Sequence, residues 1–126
     1  MRNIQMAKGA HTVVNRCAKV KPGETVLIVT EPSRMSIAEE LGGAVCAAGG
    51  EALFCSILPR ERDGQEPPAP AAAAMKAADV FLCVVGKSIT HTQAVKEAAA
   101  QGARGLVLTH FTEEMMVHGG IEGDFE

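Results

Sequence analysis

The sequence has no tryptophan and no tyrosine, and aromatic residues make up only 3% of its 126 residues. Aromatic platforms that stack on bases or sugars therefore have no support in the composition. Positive charge is also scarce, because 12 Lys and Arg stand against 15 Asp and Glu, which gives a formal net charge of -3. An acidic chain without a stripe of basic residues argues against a nucleic-acid partner.

Long apolar runs are missing as well. No run approaches the ~20 residues that a membrane-spanning helix needs, and the N-terminal segment MRNIQMAKGAHTVVNRC lacks the apolar core of a secretory signal. We therefore expect a soluble, cytoplasmic protein with no membrane partner. The four cysteines contain no C-x-x-C pair, which excludes a zinc ribbon and a thioredoxin motif. Cys55 and Cys83 lie within apolar runs and are interpreted as small buried side chains.

What the sequence does contain is a regular alternation of apolar runs and helical patterns. Continuous apolar runs are typical of parallel strands covered on both faces, and they predict strands at 25–30, 51–58, 78–86 and 104–110. Apolar residues at helical spacing predict helices at 4–20, 33–48, 71–78, 90–103 and 112–120, with Ser33 as N-cap of the second. The charged, proline-rich segment PRERDGQEPPAP predicts a long exposed loop.

This alternation predicts an α/β fold of the Rossmann-like or flavodoxin-like kind. Four parallel strands would form one sheet with helices on both faces, as a three-layer sandwich. Right-handed crossovers leave few arrangements, and we expect the strand order 2-1-3-4. The length indicates a single α/β domain over residues 1–126.

In such a sheet, ligands bind beyond the carboxyl ends of the strands, at the point where the strand order reverses. That rule selects the polar residues that directly follow the predicted strands. The candidates for a substrate cleft are Glu31, Arg34, Lys87, Ser88, Thr90, His91, Thr92 and His110. Most of them belong to the segment GKSITHT, which joins the third strand to the next helix.

A phosphate loop is one alternative for GKSITHT, because a helix N-terminus favours anions. A complete P-loop needs a glycine five residues before its Gly-Lys pair, and that position holds Phe81. No G-x-G-x-x-G follows the first strand either. The sequence therefore disfavours a nucleotide site.

Metal binding and nucleophilic catalysis are two further alternatives. His91 and His110, with Glu31 or Glu113, could supply two or three metal ligands, although no histidine pair has the spacing of a zincin helix. Ser88 lies near His91 but lacks the G-x-S-x-G elbow. A helix N-cap at Thr90 or Thr92 would explain the hydroxyls alone.

Four stretches of the chain resemble one known family. They are CAKVKPGETVLIVTE with the following IAEEL, PRERDGQEPPAPAAAAMKAADVFL, KSITHTQAVKEAAAQGARG and TEEMMVHGGIEGDF. They resemble the N-terminal domain of the leucyl aminopeptidase family called aminopeptidase T. That family also includes the iron-dependent 2,5-dihydroxypyridine ring-cleaving dioxygenases. The resemblance extends from about Ile4 to Phe125.

The resemblance implies that this chain forms part of the wall of a substrate cavity and is not catalytic on its own. Family members hold a divalent metal, expected to be Zn, Co, Mn or Fe, in a C-terminal domain that this sequence lacks. Its partners would be that catalytic domain or subunit and, as a homo-oligomer, further copies of itself. Two alternatives remain: a stand-alone module for small-ligand binding or subunit assembly, and a part of a ring-cleaving dioxygenase. A metalloenzyme built on His91 and His110 is a third.

Overall fold

A computed structural model describes residues 8–87, 89 and 92–109. Their four strands are all parallel and form one sheet in the order β2-β1-β3-β4, which confirms the predicted fold and strand order. The strands are β1 (Thr25–Thr30), β2 (Glu51–Ser56), β3 (Val80–Val85) and β4 (Arg104–Thr109). The predicted helix at 112–120 lies outside the described residues.

Among the described residues, one helix precedes β1 and three α-helices connect the strands. They are α1 (residues 8–17, of which Thr12–Cys17 is π-helical), α2 (Met35–Ala47), α3 (Ala69–Ala77) and α4 (Gln93–Ala100). The prediction of Ser33 as an N-cap is wrong, because Ser33 lies in a 3-10 turn, Pro32–Arg34, that precedes α2. Proline suits the first position of such a turn because its fixed φ is already helical.

The core lies in two layers on opposite faces of the sheet. Side chains of one face, such as Ile28 and Leu82, pack with residues of α1 and α2. Side chains of the other face, such as Leu27 and Phe81, pack with residues of α3 and α4. Alternate residues of β1 and β3 thus serve opposite layers, as the two-residue period of a strand requires.

Strand β2 departs from the prediction of a strand covered on both faces. It is an edge strand, and Leu53 and Phe54 remain 47% and 48% exposed. The apolar run in the sequence indicated a strand but not its place in the sheet. In that place, the described residues leave about half of the Leu53 and Phe54 side chains uncovered.

Arg104, at the start of β4, contacts residues that precede β1 and residues that follow α1. Its two terminal nitrogens lie 2.6 and 2.8 Å from the carboxylate oxygens of Glu24. Its guanidinium also donates to the carbonyl oxygens of Ala18 and Lys19, which follow α1. The hydrogen bond from Arg104, with a second from the Lys21 N–H, lowers the pKa of Glu24 from 4.5 to about 2.

We expect Arg104→Gln to lower the free energy of unfolding by about 1–2 kcal/mol at pH 7, because a partly exposed charged pair and two hydrogen bonds are lost. A lowered carboxyl pKa stabilises the fold above the ordinary pKa of 4.5, and this stabilisation disappears as the pH falls toward 2. Urea unfolding across that range should show the difference between wild type and variant shrinking. Arg16→Gln, at an exposed position of α1, is the control with the same charge change. A pH-independent difference would contradict the assignment.

Candidate functional site

The strand order reverses between β1 and β3, so a ligand crevice is expected beyond the carboxyl ends of these two strands. Glu31 follows β1 there and is only 3% exposed. Its Oε2 accepts a hydrogen bond from the Gly86 N–H at 3.2 Å, across the gap between the two strands. Its Oε1 lies 3.4 Å from Nε of Arg34. The crevice therefore contains a carboxylate of the protein itself.

This carboxylate decides against a phosphate at the same place. The Gly86 amide, which is the first backbone donor after β3, already donates to Glu31. A phosphate brought to this amide would meet the negative charge of Glu31 at close range. The structure thus agrees with the absence of a complete phosphate-binding motif from the sequence.

Two cationic residues lie beside Glu31. The side chain of Arg34 is 23% exposed, and Lys87, which directly follows Gly86, is half-buried. Glu31 balances the charge of Arg34 through their contact, and Lys87 adds a second positive charge after the end of β3. A planar guanidinium and an ammonium group are the side chains that recognise carboxylates and other small anions.

Thr92 begins helix α4, which confirms the prediction that Thr90 or Thr92 is an N-cap. Its hydroxyl accepts a hydrogen bond from the Val95 N–H at 3.3 Å and donates to the carbonyl oxygen of Ile89 at 2.6 Å. The side chain is 1% exposed. The Thr92 hydroxyl thus completes the helix start.

Glu66 was not among the residues predicted from the sequence, but it caps helix α4. Its two carboxylate oxygens accept hydrogen bonds from the N–H groups of Gln93 and Ala94, at 2.7 and 3.1 Å. A carboxylate at this position complements the positive end of the helix dipole. Arg60 braces the same loop by donating to the carbonyl oxygen of Glu66 at 3.2 Å. No local pattern marks Glu66, since its partners lie 27 and 28 positions further along the chain.

We expect Glu66→Gln to lower the free energy of unfolding by about 1 kcal/mol, because the helix loses a charge-assisted cap. Hydrogen exchange at the Gln93 and Ala94 amides should accelerate more than exchange in the strands. Glu61→Gln removes the same charge from an exposed position of the same loop and serves as the control. Equal effects of the two substitutions would show that net charge, rather than capping, is responsible.

The structure brings Glu31, Arg34 and Lys87 together at one edge of the sheet. Four other predicted site residues, Ser88, Thr90, His91 and His110, lie outside the described residues. Among residues 8–87, 89 and 92–109, no group of three or more His, Cys, Asp or Glu is arranged to hold a metal ion. The hypothesis of a metal bound by His91 and His110 therefore stays a prediction.

Cys83 fits its interpretation as a buried structural residue. It is fully buried in β3, and this burial raises the pKa of its thiol to about 12. A thiol with so high a pKa is neutral at physiological pH, whereas the nucleophile in cysteine chemistry is the thiolate. Within the part of the chain that the structure describes, no helix is long and apolar enough to cross a membrane.

The parallel sheet, its two helix layers and the reversal of strand order define a doubly wound α/β domain of the Rossmann-like kind. Two solved structures share this fold. One is 2,5-dihydroxypyridine dioxygenase from Pseudomonas putida KT2440, with a TM-score of 0.72 and 13% sequence identity over 90% of this chain. The other is AmpT from Thermus thermophilus, with a TM-score of 0.59 and 13% identity over 92% of this chain.

These two proteins are of the kinds to which the sequence stretches pointed, and at their low identity the likeness establishes the fold. This chain spans 36% of the length of the dioxygenase and 41% of the length of AmpT. No protein-family model matches the chain. No curated protein matches it either.

Proposed function

We propose that this chain is a single substrate-cavity domain of an aminopeptidase-T-like metalloenzyme in the cytoplasm. Its partner would be a catalytic domain or subunit that holds a divalent ion of Zn, Co, Mn or Fe. The observation that carries the proposal is the charged edge at the strand reversal, where Glu31 contacts both Arg34 and the Gly86 amide that precedes Lys87. The fold shared with a dioxygenase and with AmpT supports it.

In this proposal the chain binds and orients substrate. Arg34 and Lys87 attract a carboxylate or another small anionic group, and Glu31 fixes the position of the Arg34 side chain through their contact. The predicted cleft residues Ser88, Thr90, His91 and His110 would continue the same wall, while Thr92 holds the start of α4. Metal bound to the catalytic partner would act as a Lewis acid.

The described residues of this chain do not fit such an ion, because no group of three or more potential ligands converges among them. We therefore assign no bond-breaking step to them. What they supply is a positively charged surface against which a substrate can be held in one orientation. Correct orientation alone can contribute several kcal/mol to a reaction rate.

The test is a kinetic comparison in the polypeptide or complex that carries both this chain and its catalytic partner. Lys87→Met should raise KM for an anionic substrate about tenfold and change kcat little, which corresponds to about 1.4 kcal/mol of binding. Lys96→Met, at an exposed position of α4, is the matched control. An unchanged KM for Lys87→Met would contradict the proposal, and so would full activity of this chain alone.

Both chemistries of the family are candidates for the reaction. The shared fold with the dioxygenase makes ring cleavage a second candidate beside peptide hydrolysis. Assays with short peptides and with 2,5-dihydroxypyridine distinguish the two. Turnover of neither substrate by the complete enzyme would leave this chain as a module for binding or assembly.

A further inference from the structure

The outer edge of β2 carries backbone groups that point away from the sheet. The N–H of Glu51 donates to Glu24 O, and the N–H of Ile57 donates to Thr30 O, both at 2.8 Å. In a parallel ladder, alternate residues direct their backbone groups to the same neighbour, so the odd-numbered residues of β2 face β1. The residues whose N–H and C=O point outward are therefore Ala52, Phe54 and Ser56.

Apolar side chains flank this edge on both faces of the sheet. Leu53 is 47% exposed and Phe54 48% exposed, and Leu58, shortly after the strand, is 74% exposed. The Phe54 ring lies over α2, where a Cβ at Gly42 would come within 2.5 Å of it. Natural edge strands are usually protected from pairing by lysine, proline or a bulge. The strand EALFCS has neither residue, and its one charge is Glu51 at the start.

We propose that β2 pairs in an antiparallel direction with β2 of a second copy of this chain, about a two-fold axis at Phe54. The two four-stranded sheets then become one continuous sheet. A two-fold contact of this kind uses the same surface on both copies and closes after two subunits. It would satisfy the outward backbone groups of both chains at once.

The geometry of the strand selects this register. Directly opposite residues of an antiparallel pair have their side chains on the same face of the sheet, whereas neighbouring residues of a strand have them on opposite faces. The two-fold axis must therefore lie between the two copies of one residue. An axis at Phe54 places Ala52 opposite Ser56 of the partner subunit, so that all the outward-pointing residues form hydrogen-bonded pairs. An axis at Leu53 would instead place Ser56 opposite Gly50 of the partner subunit. The Gly50 N–H is not available for that pairing, because it already donates to Val45 O at 3.0 Å.

Side-chain size and charge favour a second copy as the occupant. Small residues, Ala52 and Ser56, lie on either side of Phe54 on the same face, which leaves room for two phenyl rings at the axis. In this register the two Glu51 carboxylates lie at opposite ends of the ladder and do not meet.

Sedimentation of the 126-residue chain tests the proposal. We expect a dimer at micromolar concentration, and Phe54→Lys, which places two positive charges opposite each other, should raise the dissociation constant at least about 30-fold. Ala99→Lys adds the same charge at an exposed position of α4 and should remain dimeric. Ser56→Pro removes one outward N–H without touching the β1 ladder, which keeps the test valid if Phe54→Lys fails to fold.

A cross-link tests the register. In the proposed pairing, position 53 faces Cys55 of the partner subunit as a non-hydrogen-bonded pair, with the two Cα atoms about 4.5 Å apart. That distance suits a disulfide, so oxidised Leu53→Cys should form a covalent dimer joined between positions 53 and 55, as identified by peptide mass spectrometry.

A wild-type chain that stays monomeric at about 100 µM would overturn the proposal, and so would a Phe54→Lys dimer as tight as wild type. A 53–53 cross-link would overturn the register. Protection of the Ala52 and Phe54 amides from hydrogen exchange in a monomer would also overturn the proposal, because another strand of the same polypeptide would then cover this edge.

Discussion

Gly105→Ala should lower the free energy of unfolding by roughly 3 kcal/mol, the largest effect that we expect from adding a single methyl group to this chain. Gly105 lies in β4 directly beside Phe81 of β3. A Cβ built on Gly105 would overlap three atoms of the Phe81 ring. Phe81 is only 3% exposed and packs in the apolar layer under α3 and α4, so its ring has little space to move.

Urea unfolding of Gly105→Ala beside Gly43→Ala measures this effect. Gly43 lies in α2, and a Cβ added there meets no atom within 4 Å. Alanine should therefore stabilise α2 by about 0.5–1 kcal/mol, since glycine is a poor helix former. Adding Phe81→Leu to Gly105→Ala should recover part of the lost stability, because a smaller side chain makes room. Wild-type stability of Gly105→Ala alone would show that the Phe81 ring moves freely.

Glu31→Ala should lower the free energy of unfolding by about 2–4 kcal/mol. The substitution removes a carboxylate that is 3% exposed, together with its hydrogen bond from the Gly86 N–H and its contact with Arg34. A partly buried guanidinium then loses an opposite charge, and a partly buried amide loses its acceptor. Glu31→Gln keeps an acceptor of similar shape and should cost less.

The control for Glu31 is Glu39→Ala, at an exposed position of α2. We expect it to change stability by no more than about 0.5 kcal/mol. A double-mutant cycle of Glu31→Ala with Arg34→Met should give a coupling energy of about 1 kcal/mol or more, because the two side chains are in direct contact. Additive effects would show that the pair contributes nothing beyond its separate members.

The general fold could be predicted because each strand can be recognised from its own residues. The run TVLIVT is apolar and β-branched, and the structure buries five of its six residues. Right-handed crossovers left few possible strand orders, and the one that was expected among them is the one observed. The same reasoning misjudged β2, because an apolar run indicates a strand but not whether helices cover it. Whether EALFCS is central or at the edge depends on the whole topology.

The site was predicted less completely, because its contacts join distant parts of the sequence. Glu31 and Arg34 were candidates from their place after β1, but nothing in the sequence indicated that the Gly86 amide, 55 positions away, donates to Glu31. Glu66 was assigned only to an exposed loop, since its partners at the start of α4 lie far along the chain. Thr92 was predicted because capping is a local interaction.

The proposed function requires that this chain work with a metal-binding catalytic partner. It is tested most directly by immunoprecipitation from cells with an antibody against this domain, followed by mass and metal analysis. We expect a polypeptide larger than 13.2 kDa, or a second subunit, together with a stoichiometric divalent ion. Recovery of the 13.2 kDa chain alone, without metal, would contradict it.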